Sequence, residues 1–143
     1  MAQFKLISTF LKKINFDSPS VPELFFNQEN TQAKMDINLD IQIKSSENKL
    51  YMVDLITKLH SKLEGGKGAD KTVFTVDCVY SALVQIEKDN GEDDVKHTLL
   101  VDVPAQLFPN TRALVLRATA DSGFPPFQMQ VVDFEELYKS KAA

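Results

Sequence analysis

Residues 34–44 read "KMDINLDIQIK", and every second residue in this stretch is apolar. The side chains of Met35, Ile37, Leu39, Ile41 and Ile43 alternate with polar ones. This period of two is typical of a β-strand that has one apolar and one solvated face. The stretch therefore predicts a half-buried strand, and the rest of the fold can be placed around it.

Three further segments predict strands. Residues 4–16 carry apolar side chains that are often two positions apart, which predicts an edge strand or an extended arm. Residues 48–63 favour a strand, although a helix remains an alternative there. Residues 72–86 are rich in β-branched and aromatic types and place Cys78 on an apolar strand face. Four strands in sequence joined by turns predict an antiparallel meander.

The C-terminal third predicts helices. The charged segment 87–97 predicts a loop, after which Asp102 can cap a helix that Pro104 opens near its first turn. This helix ends at Gly123, where a proline-rich corner follows. A short second helix begins at its cap, Asp133, and extends to residue 141. Strands first and helices afterwards is the order of an α+β fold.

Composition limits the class of protein. A chain of 143 residues with 43% hydrophobic and 25% charged residues predicts one globular domain over 1–143. The net charge of −4 disfavours nucleic acid as a partner, and no apolar stretch approaches the roughly 20 residues of a membrane helix. The single cysteine, Cys78, excludes an internal disulfide. We therefore expect a cytoplasmic protein without direct membrane insertion.

No motif indicates catalysis, a metal or a cofactor. The stretch "GGKGADKT" at 65–72 is similar to a phosphate-binding loop, but Asp70 stands where that motif needs glycine. We interpret it as a hairpin turn, and a nucleotide-binding enzyme using Lys71 is the least favoured alternative. His60 and His97 have no nucleophile or base at motif spacing, so we expect surface or strand histidines.

Phenylalanine is the unusual component of this sequence. Ten phenylalanines occur without any tryptophan, and four of them fall in predicted loops or corners: Phe25, Phe26, Phe124 and Phe127. Each could simply close an end of the sheet. Together they indicate a groove or an interface, because loop aromatics often stay partly exposed.

Two long stretches resemble the bacterial protein-export chaperone family SecB. They are "INFDSPSVPELF" at 14–25 and "PAQLFPNTRALVLRATADSGFPPFQMQVVDFEELY" at 104–138. The first matches the family's Ile-x-Phe-Glu-x-Pro-x-x-Pro-x-x-Phe element, with Asp17 in place of Glu. The second matches Pro-x-x-Leu-Phe-Pro-x-x-Arg followed by Gly-x-Phe-Pro. Lys13 departs from the family, which often has an acidic residue there.

The resemblance implies a four-stranded antiparallel sheet with a long kinked helix and a short C-terminal helix packed on one side. It also implies a homotetramer, built as a dimer of dimers, that binds unfolded preproteins in hydrophobic grooves without ATP. Such a holdase delivers its clients to the SecA motor ATPase and is not an enzyme. A SecB-like chaperone dedicated to an antitoxin of a toxin–antitoxin system is the alternative.

Pro109 lies inside the predicted long helix, where it removes one backbone hydrogen bond and predicts the kink. The kink would let this helix wrap over the sheet and pair with a partner subunit's helix. Arg112, one turn later, either satisfies carbonyls or a carboxylate at the bend or is a plain surface arginine.

The resemblance also assigns candidate site residues. The client-binding groove includes residues of the 34–44 strand and of the last helix, to which we add three phenylalanines: Met35, Ile37, Leu39, Phe124, Phe127, Phe134, Leu137 and Tyr138. Met35 and Ile37 could equally be ordinary core. Asp17 and Asp77 match acidic positions that meet SecA, or are solvated strand charges. The candidates for a subunit interface are Thr111, Leu114 and Ala118.

Overall fold

Four long strands form one antiparallel sheet in the computed structural model, which describes residues 2–18, 33–63, 71–123 and 126–142. They are β1 (Gln3–Asp17), β2 (Ala33–Ser45), β3 (Leu50–Leu63) and β4 (Lys71–Lys88). All four predicted strands are confirmed, and the helical alternative for the third is wrong. The predicted loops within 19–32 and 64–70, including the glycine-rich turn, lie outside the described residues.

The strand order is β1-β4-β3-β2. The predicted meander is confirmed for β2, β3 and β4 but is wrong for β1, which pairs antiparallel with β4 instead of β2. The long connection between Asp17 and Ala33 lets the chain cross to the far side of the sheet. As a consequence β1 and β2 are the two edge strands.

One face of the sheet forms the core. A row of opposed residues crosses all four strands on this face, from Leu39 through Thr57 and Cys78 to Ile14. Residues two positions along from this row, such as Leu55 and Val76, are fully buried. The apolar face predicted from the alternation at 34–44 is therefore confirmed, and the helices cover most of the part that β3 and β4 form.

The long helix starts earlier than predicted. It runs without a break through α1 (Glu92–His97), a π turn (Thr98–Asp102) and α2 (Val103–Asp121). The predicted loop at 87–97 is thus partly wrong, and Asp102 lies within the helix with φ −70° and ψ −41° instead of capping it.

Local chemistry explains the early start. Gly91 precedes the first turn with φ 119°, a conformation that favours glycine. The first turn is acidic, with Glu92, Asp93 and Asp94, which suits the positive end of the helix dipole. Pro104 is accommodated because the wider π turn directly precedes it, where an α-helical turn would crowd the proline ring.

The end of the long helix and the second helix agree with the sequence. Helix α2 ends at Asp121, and Gly123 has φ 90°. Helix α3 (Phe134–Ala142) follows an extended connection, 126–133. The Asp133 carboxylate accepts the backbone N–H of Glu136 at 3.2 Å, as the predicted cap requires. Phe134 of α3 packs against Phe108 of α2, with 5.9 Å between ring centroids, so the two helices lie on the same side of the sheet.

Candidate functional site

A narrow crevice separates β2 from the C-terminal helix. Its volume is about 120 Å³, and its lining comes from β2, the π turn and α3: Asp40, Ile41, Leu100, Leu137 and Tyr138. The structure thus brings together the two segments that were predicted to share a groove. We call this feature the strand–helix crevice.

An interaction between α1 and α3 positions one wall of the strand–helix crevice. The Nε2 atom of His97 lies 2.6 Å from the Oε2 atom of Glu135. The ring of Tyr138 meets the imidazole of His97 edge-on, with 5.4 Å between ring centroids. Sequence motifs indicated no partner for His97. The fold supplies one because α3 returns alongside the first helix.

The predicted groove residues of β2 differ in exposure. Met35 and Leu39 are half-buried and pack against the core. Ile37 lies between them on the same face, yet 46% of its surface is exposed. The described helices therefore leave the middle of this apolar strip open to solvent.

The predicted aromatic residues have three outcomes. Phe134 is only 3% exposed and packs edge-on against Phe108, so it belongs to the core beneath the surface. Phe127 is half-buried against the same core. Phe124 lies outside the described residues.

A larger groove of about 460 Å³ runs between α2 and the connection 126–133. We call it the helix groove. Its lining is mostly apolar and comprises Ala105, Phe108, Pro109, Arg112, Ala113, Leu116, Gln128, Val131, Val132 and Phe134. Most of these residues were not predicted, although the small residues Ala105, Pro109 and Ala113, each four positions apart, were a usable signal for an open helix face.

Two side chains of the helix groove stand out. Val131 is 79% exposed, the highest value among the large apolar side chains of the described residues. Arg112 is half-buried and is the single charged side chain among the described residues that line the helix groove. Its guanidinium has no hydrogen-bond or ion-pair partner within the described part of the chain.

A third pocket of about 450 Å³ lies where the β2–β3 turn meets the start of the long helix. Ile43, Tyr51 and Leu99 contribute apolar surface to it. At its edge, Asp89 accepts the N–H of Gly91 at 3.0 Å and contacts the Lys49 ammonium at 3.2 Å. The hydrogen bond from Gly91 and the Lys49 ammonium lower the pKa of Asp89. Sequence motifs gave no indication of this pocket.

The face of the sheet opposite the helices carries the two predicted acidic residues. Asp17 pairs with Thr75, two residues from Asp77, so the carboxylates are diagonal neighbours across β1 and β4. Asp17 is exposed and Asp77 is half-buried. Lys13 points to the same face, so this surface carries both signs of charge.

A buried carboxylate lies at the middle of that open face. Asp54 is 3% exposed and accepts a hydrogen bond from Ser81 at 2.6 Å. The ammonium of Lys12, on the edge strand, contacts the second oxygen of Asp54 at 3.2 Å. This set links β1, β4 and β3 through side chains as well as through the backbone.

Residues predicted for a subunit interface are only partly on the surface. Thr111 is fully buried in its own chain, so it has no area to offer a partner. Leu114 and Ala118 are half-buried. Edge strand β1 instead exposes several apolar side chains to solvent, with exposures of 36–50%: Ile7, Phe10, Leu11 and Ile14.

The described ranges lack two further kinds of feature. No three His, Cys, Asp or Glu side chains gather there in a way that could hold a metal ion. None of the helices in these ranges is long and apolar enough to cross a membrane.

Comparison with known proteins agrees with this geometry. The sequence profile of the family described as "Preprotein translocase subunit SecB" matches residues 1–143. This chain belongs to the SecB family. The resemblance found in the motifs at 14–25 and 104–138 is therefore confirmed.

Named SecB relatives match nearly the whole chain. A protein named "Protein-export protein SecB" from Granulibacter bethesdensis is 30% identical over 139 residues, which cover 94% of this chain and 79% of that protein. A protein of the same name from Paramagnetospirillum magneticum is 27% identical over 143 residues, covering 100% of this chain and 88% of that protein. The family and these names identify a protein-export chaperone.

A solved SecB-like structure confirms the fold. A SecB-like chaperone of Mycobacterium tuberculosis, in complex with a ChAD peptide from an antitoxin, superposes with a TM-score of 0.72 over 90% of each chain. Its sequence identity to this chain is 14%. The predicted SecB-like α+β architecture is therefore correct.

Proposed function

We propose that this SecB-family chain is an ATP-independent holdase for unfolded precursor polypeptides. Extended apolar client segments bind along the open strip of β2 and the strand–helix crevice. The observation that carries this proposal is Ile37, which is half-exposed between two core-packed neighbours, Met35 and Leu39. Covering such a strip is favourable by about 25 cal/mol per Å² of apolar area. Native proteins have already buried the segments that would fit, so the site selects unfolded chains.

The second part of the proposal is a homotetramer, built as a dimer of dimers, in which residues 1–143 of each subunit form one chaperone unit. The exposed apolar side chains of edge strand β1 support pairing with a second copy, because an uncovered edge strand readily adds another strand. Several client segments would then bind one assembly at once. Weak individual contacts would together hold a long polypeptide tightly.

The third part is delivery of clients to the SecA motor in the cytoplasm. Asp17 and Asp77 form the proposed contact, since they are diagonal neighbours on the face that the helices leave open. Lys13, on the same face, lowers the negative charge of this surface. We propose no catalytic step and no cofactor, because binding and release of apolar segments require neither.

Two linked measurements test the holdase. The mass in solution is determined first, and an excess of the protein is then added to a refolding precursor without nucleotide. The expected results are a tetramer and a large reduction in light scattering from aggregates. A monomer that leaves the aggregation unchanged would refute the proposal.

The second candidate function is that of a chaperone dedicated to an antitoxin. The solved SecB-like neighbour holds an antitoxin peptide, which favours this candidate, but the export proteins are more similar in sequence, at 27–30% against 14% identity. Binding to several unrelated unfolded precursors would support export. Binding restricted to one antitoxin segment would support the second candidate.

A further inference from the structure

Among the described residues, the lining of the helix groove includes one cation and no acidic side chain. Arg112 extends from α2 between apolar residues of the helix and of the connection 126–133. An arginine side chain presents five N–H donors in a planar fork and cannot lose its charge in a protein. No acceptor within the described residues reaches it, so its donors remain available to a segment that enters the helix groove.

The opposite wall also offers unused hydrogen-bonding groups. The connection 126–133 is extended and belongs to neither a helix nor a strand. Met129 anchors it with a side chain that is 1% exposed. Among the described residues, the backbone N–H groups of 128–132 make no hydrogen bond to the protein. Three residues of this connection, Gln128, Val131 and Val132, line the helix groove on one side, and the Arg112 guanidinium lines it on the other.

We infer that Arg112 binds backbone carbonyl oxygens of an extended client segment lying in the helix groove. The inference rests on the proposed holdase function and adds a second, polar element of recognition. Apolar walls take the client side chains, and the guanidinium takes its main chain. Carbonyl oxygens are present at every residue of every client, whereas in a folded protein they are already paired in helices and sheets. Arg112 would thus help to distinguish unfolded chains from native ones without reading a sequence.

A direct test uses the full-length assembly and a fluorescent peptide of about 15 mainly apolar residues. The peptide has no Asp or Glu and carries an amidated C-terminus, so its carbonyls are its only strong acceptors. Loss of hydrogen bonds to a charged group predicts that Arg112→Met raises the Kd about tenfold or more in fluorescence anisotropy. Arg112→Lys should recover only part of the affinity, because an ammonium lacks the fork.

Arg117→Met is the matched control. Arg117 lies on the same helix, is exposed and pairs loosely with Asp121 at 3.7 Å outside the helix groove. Its substitution should leave the Kd unchanged. If Arg112→Met binds the peptide as well as the wild type does, the inference is overturned while the holdase function stands. If the wild type itself binds no peptide, the proposed function fails as well.

A second measurement needs no variant protein and covers the case in which Arg112→Met does not assemble. Replacing single amide bonds of the peptide by esters weakens the carbonyl as an acceptor and removes the adjoining N–H donor, while keeping the side chains. At least one such position should raise the wild-type Kd several-fold. If all ester peptides bind with the same affinity as the amide peptide, the main chain is not recognised. The same conclusion follows if Arg112→Met weakens the binding only of a second peptide, in which a Glu is introduced.

Discussion

The hydroxyl of Thr119 accepts the backbone N–H of Phe127 at 2.8 Å. The same oxygen lies 3.0 Å from the carbonyl oxygens of Val115 and Leu116, to which it donates. Thr119 is fully buried, whereas Phe127 is half-buried, so this hydrogen bond is partly shielded from water. It fixes the start of the connection that forms one wall of the helix groove to the helix that forms the other.

Replacing Thr119 by valine should lower the free energy of unfolding by about 0.5–1.5 kcal/mol, because the N–H of Phe127 would lose its acceptor. Urea denaturation at constant protein concentration measures this. Thr111→Val is the control, since the buried Thr111 hydroxyl has no partner in the described structure and its loss should be neutral or stabilising. Equal destabilisation by the two variants would contradict the assigned role.

The pair His97–Glu135 should contribute a coupling energy of about 0.5–1 kcal/mol, since both side chains are partly exposed. A double-mutant cycle with His97→Ala and Glu135→Ala measures it in urea denaturation. The control cycle pairs His97→Ala with Glu136→Ala. It should give no coupling energy, because the side chain of Glu136, next to Glu135 on α3, is exposed to solvent. Coupling in both cycles would mean that α3 responds as a whole and not through this pair.

Ile37→Ser should weaken binding of an unfolded client about fivefold, because roughly 1 kcal/mol of apolar burial is lost at a half-exposed side chain. Stability should change little. Asn38→Ser is the matched control, since it alters the next exposed residue of β2 on the opposite face. Isothermal titration with one unfolded precursor compares the two. Equal affinities of the two variants would remove β2 from the client site.

Lys12→Met should destabilise the fold by about 1 kcal/mol. The substitution leaves the buried carboxylate of Asp54 with one partner fewer, although the exposure of Lys12 limits the effect. Lys13→Met, at the neighbouring exposed residue, should stay within about 0.5 kcal/mol of the wild type. Thermal unfolding compares them, and identical midpoints would mean that Ser81 alone satisfies Asp54.

Cys78 should be unreactive in the folded protein. Burial raises the pKa of its thiol to about 11, so about one thiol in a thousand is ionised at pH 8. A disulfide reagent at pH 8 should therefore react slowly with the native protein and rapidly in denaturant, where the thiol regains an ordinary pKa. Rapid labelling without denaturant would show that the sheet opens at Cys78.

Much of the fold follows from local patterns. The alternation at 34–44 specified a strand and its buried face, because side chains on a strand point to opposite sides at every step. Asp133 specified the start of α3, since a carboxylate at that position accepts an N–H of the first helical turn. The sequence pattern places the start of the long helix too late, because a proline such as Pro104 usually marks a first turn, whereas here a π turn accommodates it.

Local sequence patterns do not show which residues that are distant along the chain lie close together in the folded protein. The sequence by itself determined the family, the strands and the apolar character of β2, since each depends on residue types at short spacing. Only the tertiary structure decided that β1 lies beside β4 and that His97 meets Glu135. It also decided that Thr111 is buried and that Arg112 lies beside an apolar wall with no acceptor from the described part of the chain. Those facts depend on which elements pack together, and packing joins residues that are far apart along the chain.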